Sequence, residues 1–219
     1  LVADTHRLGL RILLEDQKVD LSKVDVDTVG FVIGPRLNAI GRLGDPTPAL
    51  ELLKSFDESE AQQLVHLINE KNSERQAIVK DIQTQVEARL DQSDEIPDVI
   101  IEADPSWQAG VLGIVASRLK EKYNRPTILF QYLEDKQVYK GSGRSIKNVN
   151  IFEWLTHVKE TIAYYGGHSQ AAGLTVSADE WVAFKDALSS FATKNQELVR
   201  QPEKLMIDMI MRPAEATVK

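Results

Sequence analysis

The chain has 219 residues, 42% of them hydrophobic and 27% charged, enough for one large domain or two small ones with buried cores. A net charge of -7 excludes a protein that coats nucleic acid indiscriminately, because phosphate affinity needs lysine and arginine in excess wherever contact is made. The lack of cysteine removes disulfides, thiolate metal sites and cysteine nucleophiles, and no apolar run reaches the roughly 18 residues of a membrane span, so a cytoplasmic protein with no membrane partner is expected.

Leu8, Ile12 and Leu13 predict a helix already under way near the start, and with Leu1 in place of methionine the chain reads as beginning inside a longer protein. Residues 1–53 read as short helices separated by turns, punctuated by Pro35, Pro46 and Pro48, with Asp27 as N-cap of a helix over Thr28 to Ile33. From Asp57 to Gln92 apolar residues recur at three and four, through Leu64, Ile68, Ile78, Ile82, Val86 and Leu90, which predicts an amphipathic helix of about 50 Å. Its polar middle, Glu70 to Gln76, marks a place where it breaks or stands partly free as a connector between two lobes.

After Pro97 the pattern turns to α/β. Strands are expected at Val99 to Ile101, Thr127 to Phe130, Gln137 to Lys140 and Gly173 to Val176. Helices are expected around Val111 to Leu119, over Ile151 to Ile162, and from Glu180 to about Leu198. Alternating strands and helices imply a mixed sheet flanked by helices. The apolar run Lys204 to Met211 reads as the first strand of a following domain.

Three segments join glycine to phosphate-capable side chains. The first, Gly34 to Gly44, carries Arg36, Asn38 and Arg42; a guanidinium offers a planar fork of donors that suits phosphate oxygens. The alternative is a pair of surface arginines on an irregular turn. The second, Lys140-Gly-Ser-Gly-Arg-Ser145, lies in a stretch from Lys136 to Lys147 with four basic residues and no acidic one, a reversal of the chain's overall sign. Ser142 and Ser145 add hydroxyl donors, and Gly141 and Gly143 permit a backbone nest for an anion; a solvated hairpin turn is the rival reading. The third, Tyr164-Tyr-Gly-Gly-His-Ser-Gln-Ala-Ala-Gly173, sets His168 after Gly166 and Gly167, where it serves either as a phosphate contact or as a hydrogen-bonded structural residue. His6, His66, His157 and His168 are scattered, and Asp25-Val-Asp27 reads as loop and cap, so no metal-ligand set is legible.

Taken in order, Pro35 to Asp45, Gly110-Val-Leu-Gly-Ile-Val-Ala-Ser-Arg-Leu119, Tyr123-Asn-Arg-Pro-Thr-Ile-Leu129, Lys140 to Ser145 and Gly166-Gly-His-Ser-Gln-Ala-Ala-Gly-Leu174 resemble the RecJ family of single-strand-specific 5′ to 3′ DNA exonucleases, within the DHH phosphoesterase superfamily. The resemblance implies a helical tail of an N-terminal DHH lobe over 1–56, a connector helix over 57–94, a DHHA1-like α/β substrate-binding domain over 95–199 and the start of an oligonucleotide-binding barrel over 200–219. It implies Arg42, Ser142 and Arg144 at the strand's terminal 5′-phosphate, Arg36, Asn38 and Ser145 close behind, and His168, after Gly166 and Gly167, on a substrate phosphate facing the metals. By the same resemblance the partners are single-stranded DNA with a 5′-phosphate and other DNA repair proteins, in repair and recombination. Mn2+ or Mg2+ serves the full-length enzyme and is held by none of this chain's ligands, so the isolated chain is expected to bind without cutting. Gln108 stands after Trp107 where the family often has histidine. Rival readings are a DHH-superfamily phosphodiesterase of oligoribonucleotides or cyclic dinucleotides, a non-catalytic nucleic-acid-binding module, and an α/β interaction domain whose glycines only make turns.

Overall fold

A computed structural model describes residues 5–202, 207 and 209 of the protein. The strand expected over Lys204 to Met211, and with it most of the domain expected over 200–219, falls outside the described residues.

Three short helices, α1 (Leu8–Asp16), α2 (Gly34–Leu43) and α3 (Thr47–Lys54), pack around the first half of a long helix, α4 (Glu58–Leu90). Their shared core holds Leu13, Leu14, Ile40, Leu52, Val65 and Ile68. Between α1 and α2 the chain makes a π-helical turn, Thr28–Ile33. Its start is fixed by Asp25 rather than by the expected Asp27: the Thr28 amide donates to Asp25 Oδ1 at 2.8 Å, and Asp27 makes no side-chain cap. The arginine-bearing segment Gly34 to Gly44 is helical for most of its length, not an irregular turn, with Pro35 in the first turn, where its missing N–H costs nothing.

Helix α4 begins at Asp57, whose carboxylate accepts the Glu60 amide at 2.8 Å. It runs 33 residues without the expected break. Two cores hold it. Val65 and Ile68 lie with α1 to α3, while Val79, Ile82, Val86 and Leu90 lie against the α/β part. The polar middle survives because Asn72 is buried and accepts from Arg75 Nη2 at 3.0 Å. The connector is therefore packed at both ends rather than free.

The α/β part is a five-stranded sheet in the order β1-β2-β3-β5-β4: β1 (Ile100–Asp104), β2 (Thr127–Leu133), β3 (Val138–Arg144), β4 (Tyr164–His168) and β5 (Ala171–Ser177). Among the described residues only β1 and β2 run parallel, joined through α5 (Ala109–Tyr123), and the other pairs are antiparallel. On one face α5 and the second half of α4 bury Ile100, Val111, Leu112 and Leu129. On the other, α6 (Ile151–His157) and α7 (Trp181–Lys194) bury Ile128, Phe130, Trp154, Leu174 and Phe184. Helix α6 stops five residues before the expected Ile162 and gives way to a 3-10 turn. A last short helix, α8 (Gln196–Arg200), returns to the sheet through Arg200, which grips the buried Asp98 with two bonds of 2.8 and 3.3 Å just before β1.

The glycine segment weighed as a nest or hairpin turn is strand, and so is the second glycine pair. Gly141 and Gly143 lie inside β3, and Gly166 and Gly167 inside β4. With β2 on one side and β5 on the other, the β3 amides belong to the ladder, so no anion-binding nest forms there. The glycines are packing residues: a Cβ at Gly141 would fall 2.4 Å from the Phe130 ring, and one at Gly143 would fall 2.7 Å from Ile151 Cδ1.

Candidate nucleic-acid interface

Helix α5 brings the first two segments together. Its Gly110 meets the end of α2 so closely that a Cβ there would sit 2.0 Å from the Arg42 carbonyl oxygen, and Arg42 Nη1 donates to the Gly110 carbonyl at 3.2 Å. One turn later Gly113 faces β3, where a Cβ would sit 2.6 Å from Arg144 Nη2 and 3.0 Å from Ser142 Oγ. Arg42, Ser142 and Arg144, from a helix end and a strand, thus meet around a single helical turn whose surface is glycine.

Arg144 is half-buried and oriented from behind: its Nη1 donates to Ser142 Oγ at 3.2 Å and to the Gly143 carbonyl at 2.7 Å. Burial first, and then the positive charge of Arg42, hold the Arg144 guanidinium below its ordinary pKa. Arg75, in the middle of α4, is depressed by burial and by Arg42 and Arg118, and its Nε is buried with no hydrogen-bond partner. Among the described residues none of Arg42, Arg75, Arg118 and Arg144 pairs with a carboxylate. In a chain with more acids than bases, Arg42 lies near enough to oppose the charges of both Arg75 and Arg144, and among the described residues neither they nor Arg118 has a counter-charge, an arrangement that suits an anion. Arg75 and Arg118 were not singled out in the sequence. They sit on helices among other charges, and only the tertiary structure brings Arg75 near Arg42 and Arg118.

His168 ends β4, on the cross-strand row Arg144–Ala171–His168. Two inter-strand spacings, roughly 10 Å, separate its backbone from that of Arg144 on the same face of the sheet. The Gln170 amide donates to His168 Nδ1 at 3.3 Å, so the neutral ring carries its proton on Nε2, which is left to donate outward. Gly167 is required here: its φ is +151°, and a Cβ would collide with the Ala171 carbonyl oxygen at 2.2 Å. Gly166 needs no such conformation and leaves the open face bare.

The remaining candidates lie elsewhere. Arg36 is committed to the fold, its Nε donating to Asn69 at 3.0 Å, Nη1 to the Val32 carbonyl at 2.9 Å and Nη2 to Gln17. Ser145 is buried and donates to the Val149 carbonyl at 2.7 Å. It organises the loop after β3, which also holds the β4–β5 hairpin: the Ser145 and Ile151 amides donate to the Gln170 and Ser169 carbonyls at 3.0 Å each. Ser145 therefore supports the placement of Arg144 and His168 from behind. Asn38 is exposed on α2, and Gln108 is exposed just before α5.

Gly113→Ala separates site from fold. The methyl collides only with the ends of movable side chains, and alanine gains about 1 kcal/mol of helix propensity over glycine. The expected outcome is an unchanged or higher melting temperature with weakened phosphate binding, read by calorimetry and by titration with a phosphorylated oligonucleotide.

Residues 97–194 match the family model of the DHHA1 domain. The chain is 37% identical over 188 residues to the single-stranded-DNA-specific exonuclease RecJ of Bacillus subtilis, covering 86% of this chain and 24% of the relative. Against RecJ of Thermus thermophilus the figures are 34% over 206 residues, covering 94% and 29%. Two solved structures show the same fold: RecJ of Thermus thermophilus in complex with Mg2+, with a TM-score of 0.77 and 33% identity over 88% of this chain and 29% of that one, and exonuclease RecJ bound to manganese, with 0.78 and 32% over 92% and 49%. The α/β part is thus a DHHA1 domain. The chain as a whole is RecJ-like, similar to a segment of these nucleases, and it spans between 24% and 38% of the lengths of the two RecJ relatives from Bacillus subtilis and Escherichia coli.

Proposed function

We propose that this chain is the strand-gripping part of a single-stranded-DNA-specific 5′ to 3′ exonuclease, and that Arg42, Ser142 and Arg144 take the terminal 5′-phosphate while His168 donates to a following phosphate. The observation that carries this reading is the meeting of Arg42, Ser142 and Arg144 at the glycine face of α5, with no carboxylate paired to either arginine among the described residues. A terminal phosphate brings up to two negative charges and three acceptor oxygens, which match two guanidinium forks and a hydroxyl. Phosphate contacts of this kind fix position and carry no base sequence, as a general exonuclease requires.

Among the described residues no three His, Asp or Glu side chains gather to hold a metal. What these residues do is orient the strand and offset its charge, so that the scissile bond is presented one nucleotide at a time. Cleavage in repair and recombination, with other repair proteins as partners, belongs to the whole protein in a cytoplasmic setting; among the described residues no helix is long and apolar enough to cross a membrane.

The test compares a 5′-phosphorylated with a 5′-hydroxyl twelve-nucleotide strand by fluorescence anisotropy. Charge-assisted hydrogen bonds of about 1.5–3 kcal/mol predict tighter binding of the phosphorylated strand by about ten- to 150-fold. Equal affinities would overturn the assignment of a 5′-end pocket.

A further inference from the structure

Strand alternation and pairing set three cross-strand rows on one face of the sheet: Arg144–Ala171–His168, Ser142–Gly173–Gly166 and Lys140–Thr175–Tyr164. Helix α5 packs on β2 and β3, and beyond it this face lies open over β5 and β4. A Cβ at Gly173 would meet nothing within 4 Å. The Tyr164 hydroxyl lies 3.8 Å from where a Cβ of Gly166 would be, so the phenol ring leans along the strand over the glycine row. The result is an open groove of about 410 Å³, walled by Tyr164 and Lys140 and floored by Gly166, Gly173 and Thr175. Its volume falls within the roughly 300–1,000 Å³ of ligand sites.

The neighbouring tyrosine shows what Tyr164 lacks. Tyr165 points to the opposite face, packs on Phe152 with ring centres 5.6 Å apart and donates its hydroxyl to Thr156 at 3.3 Å. Tyr164 is 71% exposed with none of these contacts. An aromatic ring left bare beside a glycine floor, on the same face as the arginine row, has the make-up of a stacking platform for an unpaired base.

We propose that this groove is a second nucleotide subsite, in which Tyr164 stacks an unpaired base, Lys140 takes a phosphate of the same strand, and Gly166 and Gly173 leave room for the sugar. Rows two residues apart are about 6.8 Å apart along the strands, so the Tyr164 row lies about 14 Å from the Arg144 row. That distance lets one strand hold its 5′ end on Arg144 and cross the glycine row to Tyr164. Every base has a π-face, so the subsite adds affinity without sequence preference. The inference rests on the single-stranded-DNA reading above.

The test measures binding of Tyr164→Ala, Tyr164→Phe and Lys140→Gln to a 5′-phosphorylated twelve-thymidine strand and to the same strand with one abasic nucleotide at each of the first three positions in turn. Tyr164→Ala is expected to weaken binding of the intact strand by about five- to 150-fold, while Tyr164→Phe stays within twofold. With the base missing at the stacked position, the unmodified protein and Tyr164→Ala should bind alike. Lys140→Gln should lower the slope of affinity against salt by about one phosphate's worth, roughly 0.7 for a single strand. Intact 5′-phosphate preference with Tyr164→Ala unchanged, or weakened equally on all the abasic strands, overturns the subsite alone. Failure of the unmodified protein to bind either strand overturns the subsite together with the reading beneath it.

Discussion

Arg144→Ala will remove most of the preference for a 5′-phosphorylated strand while leaving binding of a 5′-hydroxyl strand much less affected. The guanidinium is held from behind by Ser142 and the Gly143 carbonyl, so its other donors are already aimed when the phosphate arrives. Preorganisation of this kind gives a charge-assisted bond its full effect, about 1.5–3 kcal/mol or ten- to 150-fold. Arg144→Lys should recover only part of the loss, because an ammonium keeps the charge and lacks the planar fork. Burial and Arg42 both hold the folded-state pKa of Arg144 below its ordinary value, an opposition that the negative charge of a bound phosphate relieves. Equal losses on the two strands in anisotropy titrations would reduce Arg144 to a general phosphate contact.

Gly110→Ala will damage fold and site together. Its Cβ would lie 2.0 Å from the Arg42 carbonyl oxygen and 3.0 Å from the Arg42 carbonyl carbon, which are backbone atoms with no rotamer to escape into. Relief requires α2 to move off α5. Overpacking costs about 1–3 kcal/mol, and a backbone clash belongs at the upper end, above the roughly 1 kcal/mol that alanine gains over glycine in a helix. A melting temperature lower by several degrees is expected, at about 2–4 °C per kcal/mol for a chain of this size. Because Arg42 rides on α2, the 5′-phosphate preference should fall with it. The contrast with Gly113→Ala, three residues along the same helix, is the decisive control. A Gly110→Ala protein that melts and binds like the original would show that the α2–α5 contact is not what unites the two arginines.

Much of this architecture was readable from local pattern. The three-and-four spacing of Ile68, Ile82, Val86 and Leu90 marked α4, and β-branched runs marked the cores of β1 and β2, because burial of one face imposes those periods directly. The residue types at Arg42, Ser142, Arg144 and His168 were legible as phosphate chemistry, and the ordered segments Pro35 to Asp45, Gly110 to Leu119 and Gly166 to Leu174 as RecJ-like.

Other features had no local signal. Gly141 and Gly143 read as nest or hairpin turn, yet they lie in β3, as Gly167 lies in β4, and there Phe130, Ile151 and the Ala171 carbonyl occupy the space a side chain would need. Arg36 and Ser145 looked like ligands by type and neighbourhood. Their partners, Asn69, Gln17 and the Val149 carbonyl, give them structural work. The break expected at Glu70 to Gln76 did not occur: Asn72 is buried inside the helix, where its side-chain oxygen accepts from Arg75 Nη2, and the helix is packed on both sides of this stretch. Chemistry and helical periodicity are properties of single residues and near neighbours, so they are written along the chain. The meeting of Arg42 with Arg144, and the bare face that leaves Tyr164 beside a glycine floor, depend on strand register and on two glycines of α5 that let a helix end and a strand approach one another, which no neighbouring residue encodes.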